Sequence, residues 1–308
     1  MTLQQLEYIV AVDEYRHFGN AAEHCKVTQP TLSAMVQKLE DELGVKLFNR
    51  NTQPVTPTGI GSKVVKQAKE ILYQTERITD IVAEEQESMR GEFHLAILPT
   101  IAPYLLPRFY PQFLEKYPEL DIRIAEMKIE DIEIALANHE IDAAIIATEP
   151  ENKSFRVISL FYEEFYGYVS PKEPLYKDEL IRTSDIPGER LWLLDEGHCF
   201  RDQLTKFCEI EGAHTSRTAY SLGSLETFMR MVESGQGITI IPELALTQLN
   251  ANQLKLVRPF AIPRPARQIR LVTTSDSIRF TLLNKLKNEI IAVIAEEKHE
   301  LKPIQYLV

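Results

Sequence analysis

Three cysteines occur among the 308 residues, and two of them, Cys199 and Cys208, fall in one short segment. The first sits in Asp195-Glu196-Gly197-His198-Cys199-Phe200-Arg201-Asp202. Gly197 ends the apolar run Leu191–Leu194. A helical pattern then starts near Phe200, with Leu204, Phe207, Cys208 and Glu211 on successive turns and Gly212 as a stop. Cys199 therefore lies at a predicted helix N-terminus, beside His198 and close to Arg201. Each of these features favours the thiolate, which is the reactive form. At about 1.5 Å rise per residue, a continuous helix separates the two cysteines by roughly 13 Å. A disulfide requires Cα atoms within about 7 Å. The pair can join only where the intervening helix unwinds, which is the behaviour of a redox switch. Two other uses of these residues stay open: burial of the thiols as small apolar groups, and a zinc site from His198, Cys199, Cys208 and His214. The zinc reading is the weaker, because no close Cys-x₂-Cys or His-x₃-His pair is present.

The elements that must position this segment follow from composition and periodicity. With 44% hydrophobic and 26% charged residues, and no apolar run near 18 residues, the chain reads as globular with no membrane span. The opening Met1-Thr2-Leu3-Gln4-Gln5 begins an amphipathic pattern without a basic-then-apolar leader, so a cytoplasmic location is expected. Three cysteines in a reducing compartment argue against a structural disulfide framework. The net charge is −11, but eight Lys/Arg against four Asp/Glu between Arg16 and Lys69 make that stretch +4, leaving −15 on the remainder. A basic patch on an acidic chain points to a localised anionic partner.

Thr2 with Gln5 forms a capping box ahead of Leu6, Ile9 and Val10. Gly19-Asn20 opens a short second helix through Ala21, Ala22 and Cys25, with Cys25 on its core side. Thr28 caps a third helix with Pro30 in its first turn. On that helix Leu32, Met35, Val36, Leu39 and Leu43 keep core spacing, while Gln29, Ser33 and Gln37, with Thr31 beside them, form a short polar stripe. Such residues suit base edges and phosphates in a major groove, although an ordinary solvated face has the same look. Lys46–Arg50 and Gln53–Thr56 read as the two short strands of a wing, placing Arg50 to reach a minor groove or the DNA backbone. Thr58 caps a helix of about thirty residues ending near Gly91, with Ile60, Val64, Ala68, Ile71, Thr75, Ile78 and Val82 along one seam. A helix of that length with one apolar seam usually pairs with a copy of itself. Ile71 and Ile78 are the expected dimer-seam residues.

The run from Phe18 through Lys26-Val-Thr-Gln-Pro-Thr-Leu-Ser-Ala-Met-Val-Gln-Lys-Leu-Glu to Leu47-Phe-Asn-Arg50 resembles the winged-helix domain of LysR-type transcriptional regulators. The resemblance implies that Gln29, Pro30, Thr31, Ser33 and Gln37 face DNA and that Arg50 anchors the wing. Beyond Gly91, strands and helices alternate: strands at Phe93–Leu98, Leu120–Ala125 and Asp142–Ile146, and helices containing Leu105, Leu106 and Phe113 and spanning Asp131–Asn138. A second unit starts near Phe165, includes Ser224–Glu233 and Gly237–Pro242, and returns through Ile269–Val272 to a last helix, Ile278–Glu297. Ala261–Ala266, in a stretch with three nearby prolines, reads as an extended connector. Such alternation implies a mainly parallel sheet with chemistry at strand C-termini, and two such lobes resemble the periplasmic-binding-protein-like effector domain of the same family.

The expected fold is therefore α/β overall, in three parts. Residues 1–58 form a winged helix-turn-helix DNA-binding domain, and 59–90 a linker and dimerisation helix. Residues 91–308 form a regulatory domain, with lobe I at about 91–163 and 269–308 and lobe II at about 164–268. Within the family, Leu98-Pro99-Thr100, Gly197-His198-Cys199-Phe200-Arg201-Asp202-Gln203, Phe207-Cys208 and Ser224-Leu225-Glu226-Thr227 most resemble the OxyR hydrogen-peroxide sensors. That resemblance implies a peroxidatic Cys199, a resolving Cys208, and a peroxide site supported by Thr100, His198, Arg201 and Asp202. The family often has a second threonine where this chain has Ile129, which cannot hydrogen-bond peroxide. The implied function is a peroxide-sensing activator of antioxidant genes, not an enzyme, with no cofactor and no resident metal. Its implied partners are double-stranded promoter DNA, hydrogen peroxide, RNA polymerase and further copies of itself in a homodimer or homotetramer. The alternative is a LysR-type regulator gated by a small-molecule effector in the interlobe cleft.

Overall fold

The computed structural model describes residues 1–192 and 224–308, which divide into two compact units, Met1–Gln86 and Glu87–Val308. Local chemistry starts the first unit. α1 (Leu3–Tyr15) carries the expected capping box, with the Thr2 hydroxyl accepting from Gln5 N and the Gln5 side chain accepting from Thr2 N. α2 (Phe18–His24) is capped by the His17 ring rather than by Gly19 or Asn20. α3 (Gln29–Leu43) begins at the Thr28 cap with Pro30 in its first turn and ends at Gly44, whose φ of 69° suits a residue without Cβ. The wing is smaller than expected: β1 (Phe48–Asn49) and β2 (Thr56–Pro57) form a two-residue antiparallel ladder. Leu6, Ile9, Val12, Leu32, Val36, Leu39, Leu47 and Phe48 are its buried core.

α4 (Gly59–Glu85) is capped by the Thr58 hydroxyl, which accepts from Gly61 N. A Cβ on Gly61 would lie 1.9 Å from the Leu47 carbonyl oxygen, so only glycine permits this approach of helix to wing. The expected single seam along α4 is divided in two. Val65 and Ala68 are buried, and Val64, Ile71 and Leu72 pack on the winged-helix core. Ile78, Ile81 and Val82 stay exposed, Ile78 at 63%. Ile71, partly buried, packs on the core of its own head, whereas Ile78 stands exposed.

The second unit is built on one nine-stranded sheet, in the order β4-β3-β5-β10-β6-β8-β7, with β11 on β10 and β9 on β6. β3 (Gly91–Ile97), β4 (Leu120–Glu126) and β5 (Ala143–Ile146) are parallel, and the apolar residues of β3 and β5, with Leu120 and Ile122 of β4, share one core with α5 (Ala102–Lys116) and α6 (Ile129–Ala137). β6 (Arg156–Val169) runs straight through the expected lobe boundary at 163–164. Its first part pairs with β10 (Arg264–Thr273) and its last residues with β8 (Ile238–Pro242) and β9 (Val257–Pro259). β7 (Leu191–Trp192) lies parallel to β8, and α7 (Leu225–Glu233) is capped by the Ser224 hydroxyl. Two expectations are corrected here. Arg264–Ala266 is strand, not connector, because Pro265 lies just before the first residue paired with β6, where no ladder donor is needed. The last helix is α8 (Phe280–Ala292), and the chain continues through a 3₁₀ turn, Glu296–Lys298, to a terminal strand, β11 (Gln305–Leu307).

Candidate functional site

In the first unit, Gln29, Pro30 and Thr31 are exposed at the start of α3, and Ser33 and Gln37 are half-buried on the same helix. Gln37 Nε2 donates to Asp41 Oδ1 at 2.6 Å, and the Thr28 and Thr31 hydroxyls lie 2.8 Å apart. Arg50 does not project freely. Its guanidinium donates to Ser33 Oγ (3.2 Å) and Glu40 Oε2 (3.3 Å) and stacks 5.0 Å from the Phe18 ring centroid. Glu40, 1% exposed, is the organising group that the sequence reading missed. Its carboxylate accepts from Leu47 N (2.8 Å), Phe48 N (3.3 Å), Lys46 Nζ (3.2 Å) and Arg50. One buried carboxylate thus ties the wing to α3, and Arg50 anchors the wing through it. Its side chain is still about one-third exposed.

In the second unit, Thr100 follows the C-terminal end of β3, ahead of α5, where open α/β sheets hold ligands. It is 3% exposed, and its partner is Arg267 on β10, also fully buried. Arg267 Nη1 donates to the Thr100 hydroxyl oxygen (3.0 Å) and Nη2 to the Thr100 carbonyl (3.0 Å). Its Nε and Nη2 meet Glu163 Oε1 at 2.8 and 2.7 Å. Glu163 Oε2 accepts in turn from Leu244 N (3.3 Å). Because an arginine donates to the Thr100 oxygen, the hydroxyl proton is left to be donated elsewhere. The arrangement is a polarised hydroxyl backed by a buried guanidinium–carboxylate pair, a donor suited to a small polar molecule whose oxygen gains charge as it reacts.

The two lobes are latched beside this cluster. Tyr104 OH donates to Glu226 Oε1 (3.0 Å), and burial and that carboxylate push its phenol above the ordinary range. Arg108 reaches the Leu244 carbonyl (3.2 Å) and the Thr247 hydroxyl, and Gln248 donates to the Pro103 carbonyl (2.8 Å). Ile129 opens α6, half-buried and packed on the core. Cys199, Cys208, His198, Arg201 and Asp202 lie outside the described residues, as does His214. Cys25 is half-buried against the winged-helix core, and burial, aided by Glu7 and Glu14, pushes its thiol pKa up. Among the described residues no cluster of metal-ligating side chains occurs, and no helix is long and apolar enough to cross a membrane.

A winged reading head followed in sequence by a two-lobed, crossing-strand α/β unit defines a DNA-binding transcriptional regulator. The chain belongs to the LysR family: the lysR-family bacterial regulatory helix-turn-helix protein matches at residues 3–62 and the LysR substrate binding domain at 86–292. A DNA-binding transcriptional dual regulator, OxyR, of Escherichia coli is 36% identical over 272 residues, covering 88% of this chain and 89% of the relative. A hydrogen peroxide-inducible genes activator of Haemophilus influenzae is 35% identical, covering 97% and 98%. A full-length OxyR from Pseudomonas aeruginosa carrying a cysteine-to-aspartate change superposes with a TM-score of 0.75 at 34% identity, over 94% of this chain and 98% of that one. OxyR from Porphyromonas gingivalis gives 0.67 at 48% identity, over 70% and 99%.

Proposed function

We propose that this regulator senses hydrogen peroxide through Cys199 and Cys208 and transmits the signal to promoter DNA. The observation that carries the reading is the buried Arg267–Glu163 pair holding Thr100, whose hydroxyl proton is left to donate to peroxide. Relatives named for hydrogen peroxide-inducible activation support it, as does a cysteine-to-serine OxyR variant from Corynebacterium glutamicum bound to H₂O₂, 29% identical with a TM-score of 0.63. In the proposed reaction the Cys199 thiolate attacks one peroxide oxygen. The S–O bond forms as the O–O bond breaks, and the leaving oxygen departs as water after taking a proton. Thr100 donates to peroxide during this step. The Cys208 thiolate then attacks the sulfenic sulfur, forming the S–S bond and releasing a second water. Two thiols supply the two electrons. His198, Arg201 and Asp202 are assigned to shaping the field around the thiolate, and Gln29, Pro30, Thr31, Ser33 and Gln37 to the DNA face.

The reading further assigns the protein to the cytoplasm, with RNA polymerase and other copies of the chain as partners, as a dimer or tetramer. The interlobe latch through Tyr104, Arg108 and Gln248 favours thiol chemistry over opening and closing around a metabolite. Mass spectrometry of the full chain after about one equivalent of peroxide tests the scheme. Wild type is expected to give a Cys199–Cys208 disulfide with Cys25 reduced, Cys208→Ser a sulfenic acid trappable by dimedone, and Cys199→Ser no product. A Cys208→Ser variant with the wild-type product and the wild-type DNA footprint change overturns it.

A further inference from the structure

The residues beyond Ala292 lie past the segment that matches the family's binding domain, yet they are tied to the strands that carry Arg267 and Glu163. β11 runs parallel to β10 with Gln305 opposite Arg264, Tyr306 opposite Pro265 and Leu307 opposite Ala266, the three residues that precede Arg267. Arg264 N donates to the Ile304 carbonyl (2.8 Å) and Val308 N to the Ala266 carbonyl (3.0 Å). On β6, Glu163 and Glu164 point to opposite faces of the sheet, as neighbours on a strand must. Glu163 holds Arg267 on the face that meets Thr100. Glu164, 4% exposed, holds the terminal segment on the other face, accepting from Gln305 Nε2 (2.9 Å) and Arg264 Nη1 (3.2 Å). The Gln305 amide is fixed at its other end, its oxygen accepting from Lys302 N (2.8 Å).

A second tie runs through residues 243 and 244. Glu164 N donates to Glu243 Oε2 (3.2 Å), whose other oxygen pairs with Lys298, while Leu244 N donates to Glu163. Glu164, the chain neighbour of the residue that holds Arg267, is thus held on the far face by Gln305 and at its backbone N–H by Glu243, which pairs with Lys298. We infer that Gln305 and Lys298 are positioning residues for the Thr100–Arg267 pair, setting the rate of the peroxide reaction to which Thr100 donates. This rests on the peroxide reading above. Releasing either tie frees Glu164 and the start of β10, so Arg267 can tilt away from Thr100, and displacements of about 1 Å in such arrangements cost up to about a hundredfold.

The experiment measures two rates on the full chain at fixed pH: Cys199 oxidation by hydrogen peroxide and Cys199 alkylation by iodoacetamide. Alkylation needs the thiolate but no hydroxyl donor. Gln305→Ala with Lys298→Ala is expected to slow peroxide oxidation about tenfold while leaving alkylation near wild type. Thr100→Val is expected to show the same selective loss. Combining it with the tail changes is expected to add little, since both act through one hydrogen bond. Lys298→Arg, which keeps the cation, is expected to retain the wild-type rate. Gln305→Ala alone leaves the β11 backbone pairs in place and carries the same comparison should the double variant not fold. Wild-type peroxide rates in the tail variants, equal slowing of both reactions, or full additivity with Thr100→Val overturn the inference. Wild-type peroxide oxidation in Thr100→Val instead removes the reading of Thr100 as the peroxide donor.

Discussion

Arg267 shows how much one buried side chain can organise. A guanidinium with no exposure is stable only where its donors are matched, and here Glu163 and both polar oxygens of Thr100 match them. Arg267→Ala leaves the Glu163 carboxylate buried beside Leu244 N without its cation, and stability should fall by about 3 kcal/mol. Arg267→Lys keeps the charge, but a single ammonium cannot replace the fork that reaches Thr100 Oγ1 and its carbonyl together. It should preserve most of the melting temperature while slowing peroxide oxidation of Cys199. Calorimetry and a stopped-flow oxidation assay on the two variants separate these effects. Equal oxidation rates in wild type and Arg267→Lys would show that the fork is structural only.

At the scale of elements, the coupling of α3 to the wing is the point of interest. Glu40 gathers two backbone N–H groups and two cations, so helix and wing move as one piece. Glu40→Ala strands Leu47 N and Phe48 N in a buried site, and the head should lose about 2 kcal/mol. Arg50→Ala leaves those backbone bonds intact, so its melting temperature should stay within a few degrees of wild type. Its operator affinity should drop, and the dependence of binding on salt should flatten. Gln29→Ala and Thr31→Ala, both off the buried face, should weaken operator binding without unfolding the head. Unchanged titrations in all three of these binding variants would remove α3 from the DNA interface.

For the whole molecule, the two halves of α4 make different predictions. Ile71 packs on the winged-helix core, whereas Ile78 and Ile81 stand exposed on the C-terminal half. Ile71→Lys should destabilise the head by about 2 kcal/mol by bringing an unpaired ammonium to its core. Ile78→Lys with Ile81→Lys should leave the melting temperature of the head unchanged and shift sedimentation toward monomer. Binding to a two-half-site operator should then fall more than binding to one half-site. Intact oligomers in the latter variant would place the contact between copies on another surface.

What was legible in the sequence was what short stretches of chain decide by themselves. The Thr2–Gln5 box, the Thr28 and Thr58 caps and the polar stripe on α3 involve partners within a turn or two, so their chemistry is written in consecutive residues. Strand and helix alternation beyond Gly91 was legible for the same reason, and so was the spacing of Cys199 and Cys208, which lie outside the described residues. Only the tertiary structure could show that Arg267 meets Thr100 and Glu163, more than a hundred residues earlier in the chain, because nothing local distinguishes a buried arginine from the surface arginines around it. The same holds for the two sides of α4 and for β11. An exposed seam and a core face have the same periodicity, and three residues form a strand only when a neighbouring strand offers its free edge.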